Sequence, residues 1–264
     1  MKIGTYNVLG LTGFPAPEAA KVIGLPGSES NVKHFAGIFA GLDCDILALQ
    51  EGVAVRAMQQ VANRMGCHLS TAPSPINWPG HVLSRCPIRE SRTLSHAGPD
   101  EEVPPFSRTL GATLLEVAAG ELLWVVNLHL HPHDVLLRER EGDILRGRLE
   151  QLLQVTGNAV VLGDCNSEIT EKMHGHLRAM GFANAMQEVG GGIEATMDTV
   201  GVNTHYIDHI YCSPALAGKL KNARVVRDDG FRHDGPQEEG LWVHSDHLPV
   251  VAELDWPEWG AQEV

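Results

Sequence analysis

Apolar residues along this chain fall mostly in short runs, and many of these runs stop at a polar residue that could do chemistry. Residues 2–8 (KIGTYNV) read as a first strand with Asn7 at its end. Residues 9–31 are rich in Gly and Pro and lack a clear period, so they read as a long loop with a short helix around residues 19–23. Residues 32–42 carry apolar side chains at helical spacing. The run 45–51 (DILALQE) has the form of a buried strand with Glu51 at its C-terminal edge. Residues 54–65 read as a helix, residues 80–85 as a strand, Pro87 as the start of another strand, and residues 99–105 as a Pro-rich loop.

The second half follows the same grammar. Residues 110–117 and 122–130 form an expected hairpin turning at Ala119-Gly120, and its second strand leads into Asn127-Leu128-His129-Leu130-His131. Residues 135–155 predict a long amphipathic helix with Leu145, Leu149 and Leu152 on one side. A short strand, 159–162, runs into Gly163-Asp164-Cys165-Asn166-Ser167 and is followed by a helix around 171–180. The Gly190-Gly191-Gly192 run reads as a loop, 205–212 as a strand holding Asp208, and 220–226 as a further strand. A loop over 227–240 leads to His244-Ser245-Asp246-His247-Leu248-Pro249, ahead of the buried run Val250-Val251-Ala252. No linker or repeat interrupts this spacing, so residues 1–264 are expected to be one domain of α/β (α+β) class.

Composition narrows the function classes. The hydrophobic share of 43 % is enough for a sizeable core, and no apolar stretch approaches the ~20 residues of a membrane span. Residues 1–8 enter a strand pattern without a signal-peptide stretch, which makes a cytoplasmic bacterial or archaeal enzyme the default expectation. Five scattered cysteines without a CxxC pair argue against zinc or disulfides and for reduced core thiols. Lys and Arg number 20 against 33 Asp and Glu, a formal charge of −13. Proteins that grip a long duplex usually carry excess cations, so this balance disfavours such a grip and suits a site that collects carboxylates.

Six strands lie beside candidate site residues: Asn7, Glu51, His129, Asp164 with Asn166, Asp208, and Asp246 with His247. A strand fixes the backbone while the adjoining loop opens the side chain to solvent. Oxygen ligands with few thiols suit a hard cation, Mg²⁺ or Mn²⁺. Imidazoles suit phosphate contacts or proton transfer. Each residue has a plainer reading: Asn7 as a turn residue, Glu51 as a helix cap, His129 with His131 as alternating residues of an exposed strand, Asp164 to Asn166 as a strand-to-helix turn, Asp208 as a buried acid beside an Arg, and Asp246-His247 as a surface pair. Those readings would have to coincide six times.

Thr5-Tyr6-Asn7-Val8, Leu49-Gln50-Glu51, Asn127-Leu128-His129-Leu130, Gly163-Asp164-Cys165-Asn166, Ile207-Asp208-His209-Ile210 and Ser245-Asp246-His247-Leu248-Pro249 together resemble the ordered motif set of the endonuclease/exonuclease/phosphatase superfamily, the deoxyribonuclease I-like metal-dependent phosphoesterases. The segment 80–88 (GHVLSRCPI) resembles an inner strand of that family, and the resemblance runs from residue 2 to about residue 252. It implies a four-layered α/β sandwich, two mostly antiparallel sheets face to face with helices outside. It also implies roles: Glu51 as main Mg²⁺ ligand with Asn7 and Asp246 completing or supporting the site. Asp164 would orient or deprotonate water, and Asn166 would hold that water and a phosphate oxygen. His247 would contact the phosphate with Asp208 fixing its tautomer, and His129 would donate to a non-bridging oxygen.

The surrounding residues divide less cleanly. His131 and His133 invite a transition-metal reading, but Pro132 and the lack of a third ligand favour a surface turn. His205, His209, His233 and His244 are expected at the rim or behind the site, with His209 on the opposite strand face from Asp208. Cys165 reads as a packing residue, and Trp78 either stacks on a substrate ring or forms a hydrophobic lid. The loop 9–31 following Asn7 could wall the site, and no long exposed hydrophobic hairpin is evident. The expected activity is hydrolysis of a phosphodiester or phosphomonoester, with a small molecule or nucleic-acid end as partner. A metal-dependent endo- or exonuclease is the alternative. A catalytically silent binding module predicts lost ligands, and none of the site residues is missing. No protein partner can be inferred.

Overall fold

The structure, a computed structural model, describes residues 1–97, 103–200, 204–228, 230–233 and 238–256. The expected loop over 99–105 and the loop over 227–240 therefore lie partly outside the described residues. The first sheet has the order β11-β12-β1-β2-β4-β3 and the second β5-β6-β7-β8-β10-β9. In the first sheet, β1 is Lys2–Asn7, β2 Ile46–Gln50, β3 His68–Ala72, β4 Gly80–Ser84, β11 Leu220–Val225 and β12 Val250–Leu254. In the second, β5 is Ile88–Thr93, β6 Thr109–Ala118, β7 Glu121–His129, β8 Ala159–Asp164, β9 Ala183–Asn184 and β10 Asp208–Cys212. Among the described residues, only β1/β2 and β7/β8 pair in parallel; the other strand pairs run antiparallel. This is the four-layered sandwich expected from the sequence.

The helices form the outer layers. They are α1 Ala16–Ile23, α2 Glu29–Gly41, α3 Val55–Met65, α4 Val135–Leu152, α5 Lys172–Ala179, α6 Ala185–Val189 and α7 Pro214–Ala217. Phe35 and Phe39 of α2 and Met58 and Val61 of α3 pack into the larger core cluster with β1 and β2. Leu145, Leu149 and Leu152 of α4 pack with Trp124 and Val126 behind the second sheet. No helix among the described residues is long and apolar enough to cross a membrane.

Several boundaries differ from the sequence expectation for local reasons. Ser28 caps α2 by accepting a hydrogen bond from Asn31 N, so that helix starts before the apolar period becomes visible. The expected loop 9–31 contains a 3-10 turn, Leu9–Leu11, and the whole of α1. Strand β3, with the sequence HLSTA, was missed because it is a sheet-edge strand with a single Leu and little to bury. The expected hairpin is present, and Gly120 takes φ 77 at its turn.

Topology brings the candidate residues to one edge. Because β1/β2 and β7/β8 are parallel pairs, their C-terminal residues emerge side by side: Asn7 is registered with Gln50, and His129 with Asp164. Strands β10 and β12 run against these neighbours, so they reach the same edge with their beginnings, Asp208 and the segment preceding Val250. Asp208 thus opens its strand, correcting the expected start at residue 205. Below this edge the two sheets are tied by polar side chains. Gln50 Nε2 donates to Asn127 Oδ1 at 2.8 Å, and Asn127 Nδ2 donates to Leu49 O and His81 O.

Candidate active site

Glu51 follows β2 at φ 51, a left-handed conformation that an L side chain rarely adopts. It turns a buried carboxylate off the strand end, and Gly52 makes room: a Cβ there would lie 2.1 Å from the His81 ring. The helix-cap reading of Glu51 does not hold, because Ala54 caps α3 and no side chain bonds that helix end. Burial raises the Glu51 pKa, partly offset by a hydrogen bond from Asn7 and the charge of His247.

Asn7 bridges the two sheets by donating from Nδ2 to Asp164 Oδ2 at 2.9 Å. Its Oδ1 accepts from Leu9 N at 3.1 Å, so Asn7 also performs the turn role weighed against it. Asp164 is buried, and burial raises its pKa while the neighbouring His247 charge lowers it and Asp208 adds to the rise. Its Oδ1 accepts from Asn166 N at 2.9 Å. Asn166 itself has φ 47 and donates from Nδ2 to Leu130 O at 3.0 Å, tying the loop after β8 to the end of β7.

Asp208 pairs with a histidine, where the plainer reading had paired it with an arginine. Its Oδ2 lies 2.8 Å from His247 Nδ1, and both groups are buried. Burial alone would push the His247 pKa down; the carboxylates of Asp208 and Asp164 outweigh it and hold the imidazole protonated. The other ring nitrogen, Nε2, lies 3.8 Å from Asp164 Oδ2. Ser245 Oγ fastens this segment to β1 by donating to Asn7 O at 2.8 Å.

The geometry brings all eight predicted residues to one place, with different degrees of closeness. Glu51, His129 and Asp164 put one potential ligand atom each within 4.8 Å of one another, and so do Asp164, Asp208 and His247. Asp246 stands outside both groups but lines the same cavity of about 390 Å³ as Glu51, Asp164, Asn166 and His247. Larger hollows of about 510 and 490 Å³ lie at the other end of β1 and against α1 and α2, away from these side chains.

A divalent cation fits this donor set. Carboxylates of Glu51, Asp164 and Asp208 are buried among one another, and burial pushes Glu51 and Asp164 toward the neutral form. A bound cation would supply the charge that keeps such oxygens ionised.

The neighbouring histidines separate by environment. His131 Nδ1 accepts from His133 N and Asp134 N, which makes it the staple of a surface turn. His133 and His205 line the cavity mouth. His209 and His244 are buried, so of the two places expected for them neither takes the rim, and His209 lies on the opposite strand face as the alternation predicts. His209 packs on His174 and Tyr211 on the face opposite Asp208, and His244 packs among His34, Phe35, Phe231 and Trp242. Cys165 is buried in the α4-side core, as a packing residue should be. Arg108 escaped the sequence reading. It lines the cavity, and its guanidinium carbon lies 4.8 Å from the centre of the Trp78 ring. Ser107-Arg108 immediately precedes β6 after the Pro-rich loop, so no apolar run ending at it marked it.

Comparison with known proteins agrees with this architecture. Residues 4–226 match the Endonuclease/Exonuclease/phosphatase family, and the chain belongs to that family. It is accordingly a metal-dependent phosphoric ester hydrolase. Among solved structures, a functionally unknown conserved protein from Enterococcus faecalis V583 aligns with a TM-score of 0.72 at 16 % identity, covering 96 % of this chain and 99 % of its own. The 3′ phosphatase NExo from Neisseria, bound to a product DNA hairpin, aligns with a TM-score of 0.70 at 20 % identity over 97 % and 100 % of the two chains. A mannosyl-6-phosphatase from Bacteroides thetaiotaomicron VPI-5482 aligns with a TM-score of 0.70 at 16 % identity over 97 % and 100 %. These identities speak to the fold. No curated protein matches the sequence.

Proposed function

We propose that the protein hydrolyses a small or chain-terminal phosphoester by in-line attack of water, with Mg²⁺, or Mn²⁺ in its place, as the metal. The observation that carries this reading is the cavity of about 390 Å³ in which Glu51, Asp164, Asn166, Asp246 and His247 meet under walls formed by Leu9, Trp78, Pro132 and Met197. Such a pocket suits an ester that enters end-on. The charge of −13 supports the same reading, because broad duplex binding depends on neutralising many phosphates. So do the names of two proteins of similar fold, a 3′ phosphatase and a mannosyl-6-phosphatase. Trimming of nucleic-acid ends is the second reading, favoured by the product DNA hairpin held by the Neisseria protein.

The roles follow from the contacts. Glu51 and Asp246 would hold the cation, and Asn7 would support the site through its bond to Asp164. When bound, the cation supplies positive charge to the phosphoryl and leaving oxygens. Asp164, kept ionised beside the cation, receives the proton of the attacking water, and Asn166, whose N–H donates to Asp164 Oδ1, stands beside it to hold that water. Water oxygen bonds to phosphorus as the ester P–O bond breaks and its electron pair leaves with the departing oxygen. His247, kept cationic by Asp208, donates from Nε2 to a phosphate oxygen. His129 stands beside Asp164, its Nε2 3.4 Å from Asp164 Oδ2.

An activity panel tests the reading. Purified protein with Mg²⁺ or Mn²⁺ is assayed on p-nitrophenyl phosphate, bis-p-nitrophenyl phosphate, single- and double-stranded DNA, an abasic-site duplex and sphingomyelin. Turnover of the small esters with internal DNA positions untouched is the expected result. Glu51→Gln should lower that turnover by about 10²–10³-fold with the fold retained. Nicking of duplex DNA at internal sites would overturn the end-on reading.

A further inference from the structure

The cavity contains one cation with no role in the reaction just described. Among the described residues that line it, Arg108 is the only Lys or Arg, and it shares the cavity with the carboxylates of Glu51, Asp164 and Asp246. We propose that Arg108 binds the non-bridging oxygens of a terminal phosphate and makes the enzyme prefer phosphomonoesters over phosphodiesters. The inference rests on the phosphoester reading above and narrows its substrate class.

Arg108 is held in place from three sides. Its guanidinium lies over Trp78, 4.8 Å from the ring centre. Its Nη1 donates to His129 Nε2 at 3.0 Å and makes a longer contact of 3.4 Å with Glu51 Oε1. Ser107 is tied down next to it: Glu141 Oε1, on α4 and fully buried, accepts from both Ser107 N and Ser107 Oγ at 2.7 Å. These contacts use one nitrogen of the fork. Nε and Nη2 make no hydrogen bond among the described residues, and the side chain keeps 14 % exposure in a site lined for substrate. A planar fork with a free edge is suited to two oxygens of one phosphate.

The same contacts define the part played by His129. A guanidinium has no acceptor atom, so at the 3.0 Å contact His129 Nε2 accepts and the ring proton sits on Nδ1. Nδ1 is buried without a partner, which leaves the ring with no N–H directed at Arg108 or the neighbouring carboxylates. The donation expected of His129 therefore falls to Arg108, beside that of His247, and His129 is a positioning residue. The one face of Trp78 that Arg108 covers is closed to a substrate ring, so Trp78 serves as a platform for the guanidinium.

Charge explains the selectivity. A phosphomonoester carries about −1.5 to −2 near neutral pH, with a second pKa of about 6. A diester carries one negative charge and replaces one oxygen by a second ester arm. Three cavity carboxylates oppose the additional charge of the monoester, so a cation aimed at the free oxygens favours the monoester more than the diester.

The test compares wild type, Arg108→Gln and Arg108→Lys at saturating Mg²⁺ on p-nitrophenyl phosphate and bis-p-nitrophenyl phosphate. Wild type should favour the monoester in kcat/KM. Arg108→Gln should lose about 10²–10³-fold on the monoester and less than about tenfold on the diester. Arg108→Lys, with the charge but not the fork, should fall between, mainly through KM. Equal losses on both esters, no loss in either variant, or a wild type that prefers the diester would overturn the proposal. Calorimetric titration with inorganic phosphate in Mg²⁺ gives a readout without turnover: Arg108→Gln should bind it at least about tenfold more weakly. Unchanged phosphate affinity counts against Arg108 even if no ester is cleaved, whereas an inactive wild type counts against the phosphoester reading. A sugar phosphate and a 3′-phosphorylated oligonucleotide separate a metabolite from a nucleic-acid end. The Arg108→Gln loss should follow whichever wild type cleaves, and activity retained there would overturn the proposal. Thermal melts confirm folding, and Arg108→Lys, which keeps size and charge, decides the matter if the Gln variant does not fold.

Discussion

The Asp208–His247 contact shows how a residue obtains a role from its partners. A buried imidazole would ordinarily be neutral; the 2.8 Å carboxylate reverses that. Asp208→Asn keeps the shape and removes the charge, so kcat should fall by about 10²–10³-fold while metal affinity is retained. Steady-state kinetics beside a Mn²⁺ titration checks this, and parallel loss of metal binding would move Asp208 into the metal site. The pairing was legible in outline, since Asp208 and His247 both stood out in the sequence, 39 positions apart. Arg108 was not legible, because its significance comes from Trp78, His129 and Glu51, which belong to other elements.

At the scale of elements, the site depends on backbone that only certain residues permit. Gly163, inside β8 and one residue before Asp164, has φ 142, and a Cβ there would lie 2.0 Å from Leu128 O of the neighbouring strand. Gly163→Ala should cost about 3 kcal/mol or more in unfolding free energy, read by urea denaturation. A normal midpoint would show that β7 and β8 can separate at that point. Helix α4 acts on the site through Glu141, whose second oxygen accepts from His131 N at 3.2 Å while the first holds Ser107. Glu141→Ala should cost about 1–3 kcal/mol by leaving these donors unpaired, and should lower monoester turnover with Arg108 unmoored. Unchanged stability and rate would show that water replaces the carboxylate. Helical spacing revealed α4; it did not reveal that Glu141, a charged residue, points inward.

Across the whole molecule, buried histidines couple folding to pH. Burial lowers the pKa of His81, His174 and His244 to about 4 and that of His209 to about 3. In the unfolded chain these imidazoles titrate near 6.5. Each therefore contributes stability above pH 6.5 that is lost as pH falls toward its folded value, because the unfolded chain takes up protons first. His247, Glu51 and Asp164, with raised values, act in the opposite sense, so one histidine must be isolated. The stability gap between wild type and His174→Gln should narrow by about 1–2 kcal/mol between pH 7.5 and 5. Urea unfolding at both pH values reads this; a constant gap would mean that His174 is not held neutral.

Much of this protein was settled by local pattern. Short apolar runs ending at Asn7, Glu51 and Asp164 determined strands and their polar edges, because alternation and burial act over a few residues. The hairpin at Ala119-Gly120 and the amphipathic stretch of α4 were legible for the same reason. Motif order supplied the sandwich and the phosphoester chemistry, as the match over residues 4–226 bears out. Tertiary structure alone decided what faces what. The parallel β1/β2 and β7/β8 pairs bring strand ends to one edge, while β10 and β12 arrive there by their beginnings. It placed Arg108 over Trp78 and hid His209 and His244 in packed interiors. Such contacts join residues far apart in sequence, and their energies depend on distance and desolvation, which no local pattern records.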